Sequence, residues 1–509
     1  MPGTERTNRL TGFEALGLLT GARRAGDWSG PLPELTGLSV DSRATKPGHL
    51  FAALPGTRVH GAAFVPEALG MGAAAILTDP AGLALLEAEL GSLRVPVILH
   101  DQPRRALAVA ASRWYGDQPE VMVAVTGTNG KTSVASFTRQ IWEALGETAV
   151  SFGTVGVEGA VSAKLGHTTP EPVTLHRLLA DLADKGVTHA AMEASSHGLD
   201  QFRLDGVHLA AAGFTNITRD HLDYHPDFES YFRAKLGLFE RVLPKRATAV
   251  VNLDDPHGPR VRRIAKARGQ RLITVGRAEG CDLRLLAQRF DADGQELLFG
   301  WGGKSHKVHK VRLDLIGGFQ AANALVSAGL AIGSGSDPAA VIGVLPALRT
   351  VRGRMQRAAR RQNGALVFVD YAHTPDALLT ALTALRPHVM GRLVVVFGAG
   401  GDRDRGKRPL MGAAATRTAD RVYVTDDNPR TEDPASIRAA VRAGAPDAIE
   451  IGDRAEAILT AIDGLEPGDA LLIAGKGHET GQIVGDDVLP FDDAEQASVA
   501  VAALDGLGA

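Results

Sequence analysis

The run Val125-Thr126-Gly127-Thr128-Asn129-Gly130-Lys131-Thr132 has the residue types that hold a nucleotide's phosphates. Glycines let backbone N–H groups approach a phosphate closely, and a helix N-terminus adds the positive end of its dipole. Lys131 can reach the terminal phosphates and the Thr132 hydroxyl suits Mg²⁺. The general pattern wants glycine five residues before Gly130, where this chain has Val125. The setting still fits: Val121-Met122-Val123-Ala124-Val125 reads as a buried strand, and Ser133 onward places Val134, Phe137, Ile141 and Leu145 at helical spacing. Residues 127–133 are therefore expected to bind phosphate in a strand-to-helix turn.

Such a site needs a carboxylate, and the apolar strand Thr188-His189-Ala190-Ala191-Met192-Glu193 ends in one. The polar stretch that follows, through Ser195, Gln201 and Arg203, is suited to lining a pocket. The ten residues from Asn216 to His225 gather several metal and phosphate partners. His221 among them is an unusual direct ligand for hard Mg²⁺ unless the site also holds the transferred phosphate. Lys235 lies on the apolar side of a helix read over 228–239, with Tyr231, Phe232 and Phe239 three and four residues away. Desolvation there lowers an amine's pKa, and a neutral amine can take up carbon dioxide as a carbamate, a carboxylate able to bind Mg²⁺. Each feature also has an ordinary explanation taken singly: a strand end, a solvated loop, a lysine reaching out from a helix face.

Ala365-Leu366-Val367-Phe368-Val369-Asp370 imitates the strand-Asp that holds Mg²⁺ in many phosphate-loop enzymes, but it comes late in the chain, and the metal role is assigned to Glu193. Further on stand Arg403 in a Gly/Asp/Arg-rich run, Asp427-Asn428-Pro429-Arg430, and Gly475-Lys476-Gly477-His478-Glu479. Residues of these types can meet a carboxylate and an ammonium at once. Arginine suits the first through paired hydrogen bonds, and glutamate the second.

These clusters must be held by elements, and the punctuation divides the 509 residues into three blocks, as the length leads one to expect. They are 1–107, 108–346 and 347–509, and the last alternates strand and helix. Strands that are apolar without polar alternation imply parallel sheets covered on both faces, hence a three-domain α/β protein. The net charge of -3, from 55 basic and 58 acidic residues, offers no basic field for nucleic acid. Residues 1–24 hold no apolar core of a signal peptide and no later stretch spans a bilayer, so a cytoplasmic protein without membrane insertion is expected. The single Cys281 can form neither an intrachain disulfide nor a thiolate cluster, which fits a reducing compartment.

Taken together, the segments resemble the Mur ligase superfamily of ATP-dependent amide-forming enzymes. Val40-Asp41-Ser42-Arg43 with Pro47-Gly48 and the 50–56 run, Thr168-Thr169-Pro170, 192–199 and 216–225 extend the resemblance over about residues 38–480. It implies a uridine-binding first domain, a central ATP-binding phosphate-loop domain and a Rossmann-like last domain for the incoming amino acid. It implies that Val40, Ser42, Thr57, Arg58 and Val59 contact UDP, and that Thr168, Thr169, Ser195, Gln201 and Arg203 hold the muramoyl-dipeptide. Thr132 and Glu193 would bind one Mg²⁺, with His221 and carbamylated Lys235 helping to hold a second. Asn323, Arg354 and Asp370 would face the adenosine side of ATP. Arg403, Asp427, Asn428, Pro429, Arg430, Gly475 and Glu479 would bind meso-diaminopimelate, as in members with Asp-Asn-Pro-Arg.

The implied reaction joins that amino acid to UDP-N-acetylmuramoyl-L-Ala-D-Glu through an acyl phosphate, in a monomer. Alternatives are L-lysine or L-ornithine as the amino acid, a folylpolyglutamate-synthetase-like ligase, and a module that only senses ATP. Ala399 stands where many relatives have Cys, and Ala194 where many have Val; neither touches the implied chemistry.

Overall fold

A computed structural model describes residues 12–25, 28–56, 59–91, 93–220, 224–302 and 307–506. His221, Thr57 and Arg58 lie outside the described residues. The architecture is α/β, with three mixed sheets and a separate two-stranded hairpin.

The middle sheet has ten strands, and Val121–Thr126 lies inside it between Leu209–Phe214 and His189–Glu193, parallel to both. Alternation along this strand divides the core: Val123 and Val125 enter the cluster that includes Phe137, Ile141 and Trp142 of helix Lys131–Ala144, while Met122 and Ala124 enter the cluster on the other face. Covering both faces is what an apolar parallel strand demands. The strand's carboxyl end opens into the phosphate loop, where open α/β sheets bind ligands. Val125 explains its own departure from the general pattern, being still a strand residue, paired with Gly213 and Glu193 and buried.

The N-terminal sheet has five strands, parallel except for the edge strand Ala22–Ala25. Helix Pro103–Tyr115 closes its core with Leu107, Ala110, Ala111 and Trp114, so the division drawn at 107/108 falls inside a helix. The last sheet has six strands in the order Gln356–Arg360, Leu366–Asp370, Ala470–Ala474, Leu393–Phe397, Arg421–Val424 and Ile449–Glu450, with the hairpin Gly481–Pro490 beside it.

Side chains join the three units. Arg105 and Arg241 both bind Asp205, linking the N-terminal helix to the middle unit. Buried His388 spans the second junction: Nδ1 lies 2.7 Å from the Asp291 carbonyl and Nε2 accepts from the Gly317 N–H at 3.0 Å. Cys281 is buried and free, and no helix of the described residues is long and apolar enough to cross a membrane.

Candidate active site

The phosphate loop is shaped by contacts that exclude side chains. A Cβ on Gly127 would lie 1.9 Å from Thr215 Oγ1, and one on Gly130, in the left-handed region at φ +86°, would lie 2.5 Å from Asn323 Oδ1. Asn216 clamps the turn from both sides: its Oδ1 accepts from the Asn129 N–H at 2.9 Å and its Nδ2 donates to the Asn129 carbonyl at 3.1 Å. Thr128 Oγ1 meets the Tyr231 hydroxyl at 2.9 Å. Ser133 is buried in the first turn of the following helix.

Two lysines converge on one carbonyl. Lys131 Nζ donates to Gly127 O at 3.0 Å and to Thr128 O at 2.9 Å, and Lys235 Nζ donates to the same Gly127 O at 2.7 Å. Lys235 also stands over the Tyr231 ring, 4.6 Å from its centre. Burial pushes the Lys131 pKa down. It pushes Lys235 well below the ordinary lysine value, and the neighbouring charge of Lys131 adds to that shift. The helix that carries Lys235 is regular only over Phe228–Gly237 and widens into a π turn at Leu238–Val242, rather than running unbroken to 239.

Glu193, 1 % exposed, lies one strand away from Val125. Its Oε1 accepts from Thr132 Oγ1 at 3.0 Å and from the Thr154 N–H at 2.8 Å, and its Oε2 accepts from Thr154 Oγ1 at 3.2 Å. A carboxylate oxygen beside a hydroxyl on the wall of a cavity is a hard-oxygen donor set, and it fits Mg²⁺. Asp220 lines the same cavity. Sequence reasoning passed over Thr154, which sits in a turn without any local pattern; only its neighbours in space mark it.

Hydrogen bonds continue from Glu193 toward the polar stretch. Thr169 Oγ1 donates to Glu193 O at 3.0 Å, Ser195 Oγ donates to Thr169 Oγ1 at 3.1 Å, and Arg203 Nη1 donates to Thr169 O at 2.6 Å. Arg203 Nη2 holds Gln201 Oε1 at 2.8 Å, and the Thr168 hydroxyl meets that of Thr154 at 3.1 Å. Lys131, Thr132, Glu193, Thr168, Thr169, Ser195, Arg203 and Lys235 all line one cavity of about 690 Å³.

The third unit closes this cavity with Arg354, Asp370, Tyr371 and His373, and Asn323 lines it from the middle unit. Arg354 Nη2 donates to Thr132 Oγ1 at 3.2 Å and its guanidinium covers the Tyr371 ring at 4.6 Å. Asp370 accepts from the N–H groups of Met355 at 2.7 Å and Ala372 at 2.9 Å, and burial raises its pKa. Sequence reasoning gave neither Tyr371 nor His373 a site role, although Tyr371 follows Asp370 directly and His373 stands three residues on.

A second polar cluster lies off the cavity wall. Asn428 Nδ2 donates to Glu479 Oε2 at 3.0 Å, and Lys476 Nζ donates to Asn428 Oδ1 at 2.8 Å. Gly475 is in the left-handed region at φ +117°, and a Cβ there would meet Asp427 Oδ2 at 2.6 Å. Arg430, itself at φ +52°, donates from Nη1 to Gly401 O at 2.8 Å, and the Pro429 carbonyl packs where a Cβ on Gly401 would clash at 1.8 Å. Arg403 is exposed beside this group. In the N-terminal unit Val40 is half-buried, Ser42 Oγ donates to Glu67 Oε2 at 2.5 Å, and Val59 is exposed; none of the three reaches the cavity.

Three family models match: Mur ligase family, catalytic domain over residues 34–115, Mur ligase middle domain over 125–331, and Mur ligase, glutamate ligase domain over 353–477. The UDP-N-acetylmuramoyl-L-alanyl-D-glutamate–2,6-diaminopimelate ligase of Bradyrhizobium diazoefficiens is 53% identical over 473 residues, covering 92% of this chain and 95% of its own. The ligase of that name from Caulobacter vibrioides is 51% identical, covering 93% and 96%. A solved structure of a ligase with this name superposes with a TM-score of 0.70 at 33% identity, covering 97% of this chain and 99% of its own. Mycobacterium tuberculosis folylpolyglutamate synthase complexed with ADP shares the fold at a TM-score of 0.59 and 21% identity, over 73% of this chain and 91% of its own. The chain belongs to the Mur ligase family.

Proposed function

We propose that the protein is an ATP-dependent amide ligase that joins meso-diaminopimelate to the D-glutamate γ-carboxylate of UDP-N-acetylmuramoyl-L-Ala-D-Glu, in peptidoglycan synthesis. One observation carries this reading. Hydrogen bonds run unbroken from Thr132 of the phosphate loop through Glu193 and Thr169 to Arg203, within a single cavity. A terminal phosphate and a substrate carboxylate would thus be held side by side.

The γ-carboxylate attacks the terminal phosphorus of ATP, the bond to ADP breaks, and an acyl phosphate forms. The neutral amine of the amino acid then adds to the acyl carbon. The tetrahedral intermediate expels phosphate and loses a proton to leave the amide. Lys131 and the loop of residues 127–133 hold the phosphates. Asn323, Arg354 and Asp370 meet the rest of ATP, while Thr168, Thr169, Ser195, Gln201 and Arg203 orient the dipeptide. One Mg²⁺, held by Thr132 and Glu193, and a second, which His221 and a carbamate on Lys235 help to hold, would offset the phosphoryl charge. Lys235 acquires that carbamate when its neutral amine adds to carbon dioxide and loses a proton, which makes it a metal-positioning group rather than a base.

Residues 1–107, through Val40, Ser42, Thr57, Arg58 and Val59, take the UDP end; 108–346 take ATP. Within 347–509, Arg403, Arg430 and Asn428 take the distal carboxylate of the amino acid, with Asp427, Pro429, Gly475 and Glu479 around its ammonium. The enzyme works as a cytoplasmic monomer. An assay of ADP release with UDP-N-acetylmuramoyl-L-Ala-D-Glu and either meso-diaminopimelate, L-lysine or L-ornithine tests the proposal. Release requiring both the dipeptide and meso-diaminopimelate is expected. Preference for lysine or ornithine would overturn the amino acid assigned, and release independent of both substrates would overturn the ligase.

A further inference from the structure

We propose that Lys476 is a positioning residue for the amino-acid seat, fixing the Asn428 side-chain amide so that its donor end faces Glu479 and the ligand. The inference rests on the assignment of residues 427–430 and 475–479 to the incoming amino acid.

An asparagine amide has an accepting and a donating end, and turning it over reverses what it offers a ligand. Here the choice is made by two donors. Asn428 Oδ1 accepts from Lys476 Nζ at 2.8 Å and from the Ile483 N–H at 3.0 Å, which uses both of its lone pairs. Nδ2 must then face Glu479 Oε2, at 3.0 Å, with its second hydrogen left for an acceptor such as a ligand carboxylate. The reversed amide would set Nδ2 against two donors and Oδ1 against a carboxylate.

Lys476 is built for this task rather than for a surface one. It is fully buried between Gly475 and Gly477, at φ +117° and +56°, a backbone path that turns its side chain inward. Its amine also reaches Glu479 Oε2 at 3.5 Å and Asp427 Oδ1 at 3.8 Å, so one cation ties together three residues assigned to the same ligand. It does not line the cavity that holds the phosphate loop. Its effect on the reaction should therefore pass through the Asn428 amide to amino-acid binding and leave ATP binding alone.

Steady-state kinetics of the whole enzyme test this, with Lys476→Met, Lys476→Gln, Asn428→Ala and the Lys476→Met/Asn428→Ala pair. The amino acid is the one the wild type ligates. Lys476→Met should raise KM for the amino acid about tenfold or more, the worth of a hydrogen bond to a charged donor, while KM for ATP stays within about twofold. Lys476→Gln keeps an N–H donor for Oδ1 and should recover part of the loss. The double variant should be no worse than Asn428→Ala alone, because a residue that acts through another adds nothing once the other is gone. Unchanged KM for the amino acid, an equal rise for ATP, or multiplying effects in the double variant would overturn the proposal. If Lys476→Met does not fold, Lys476→Gln decides: its KM should lie between wild type and Asn428→Ala, and a wild-type value overturns the proposal. A wild type that ligates no amino acid would instead bring down the functional reading, and this inference with it.

Discussion

Two fully buried lysines are treated in opposite ways by the two halves of the catalytic region. Lys235 in the middle unit has a backbone carbonyl and an aromatic face for neighbours, with the like charge of Lys131 beside it. Lys476 in the last unit is enclosed by Asp427, Asn428 and Glu479. The contrast extends past the lysines. The last unit also buries charges as pairs, Arg454 with Asp493 at 2.7 Å and Arg408 with Glu432 at 2.8 Å. Burial alone thus does not make an amine reactive; the partner set decides. An amine whose burial and like-charged neighbour outweigh the opposing pull of Asp220 is biased toward its neutral form, and one surrounded by carboxylates becomes scaffolding.

The largest expected effect comes from removing the reactive member of the comparison. Lys235→Ala should lower ADP release about 10³-fold or more, since the proposed metal-positioning carbamate would be lost along with the amine. Acetate or formate, by occupying the vacated space, should restore part of the rate. Full activity of the variant without additive would sink the carbamate assignment. The scaffolding side breaks differently. Arg454→Met leaves Asp493 buried without its partner and should destabilise the last unit by about 3–5 kcal/mol, read as a lower denaturation midpoint. Pairing it with Asp493→Leu should recover most of that loss. A single variant as stable as the wild type would show that the pair does not hold this unit together.

This contrast was only half legible in the chain. The phosphate loop can be read locally because strand, turn and helix follow one another within about twenty residues, and the departure at Val125 makes sense once that residue is seen to be still in the strand. Helical spacing also placed Lys235 on the apolar side, where it is buried. That its amine meets the Gly127 carbonyl, 108 residues earlier, has no local signal. The same holds for Thr154, whose N–H and hydroxyl both go to Glu193 across the sheet. Lys476 sits in a quoted motif, yet a lysine between two glycines carries no periodicity from which burial could be read. Partner sets are tertiary facts, and they are what separates the two lysines.

Smaller effects sharpen the comparison. Arg430 is where the paired half is proposed to meet its ligand, with its backbone held at φ +52° by hydrogen bonds to Ile483 and Gly485 of the hairpin. Arg430→Ala should reduce the preference for meso-diaminopimelate over lysine about tenfold to a hundredfold in kcat/KM, because only the former has a distal carboxylate to lose. An unchanged ratio would remove Arg430 from the seat.

The smallest expected effect tests a buried base of the middle unit that lies outside the catalytic cavity. His176 is buried in helix Pro172–Asp184, and its Nε2 has no hydrogen-bond partner among the described residues. Burial lowers its pKa from 6.5 to about 4, against a weaker opposing effect from the Asp205 backbone. Because the folded pKa lies below the unfolded one, the unfolded chain binds the proton more readily. Stability is full above pH 6.5 and falls as the pH drops toward 4. Between pH 7 and pH 5.5 this one group should cost about 1 kcal/mol. His176→Leu should remove about 1 kcal/mol of the stability lost over that interval, read as a shallower fall of the denaturation midpoint. A wild-type slope retained in His176→Leu would mean that another group carries the titration, and the contrast between lone and paired burial would then stop at the edge of the catalytic cavity.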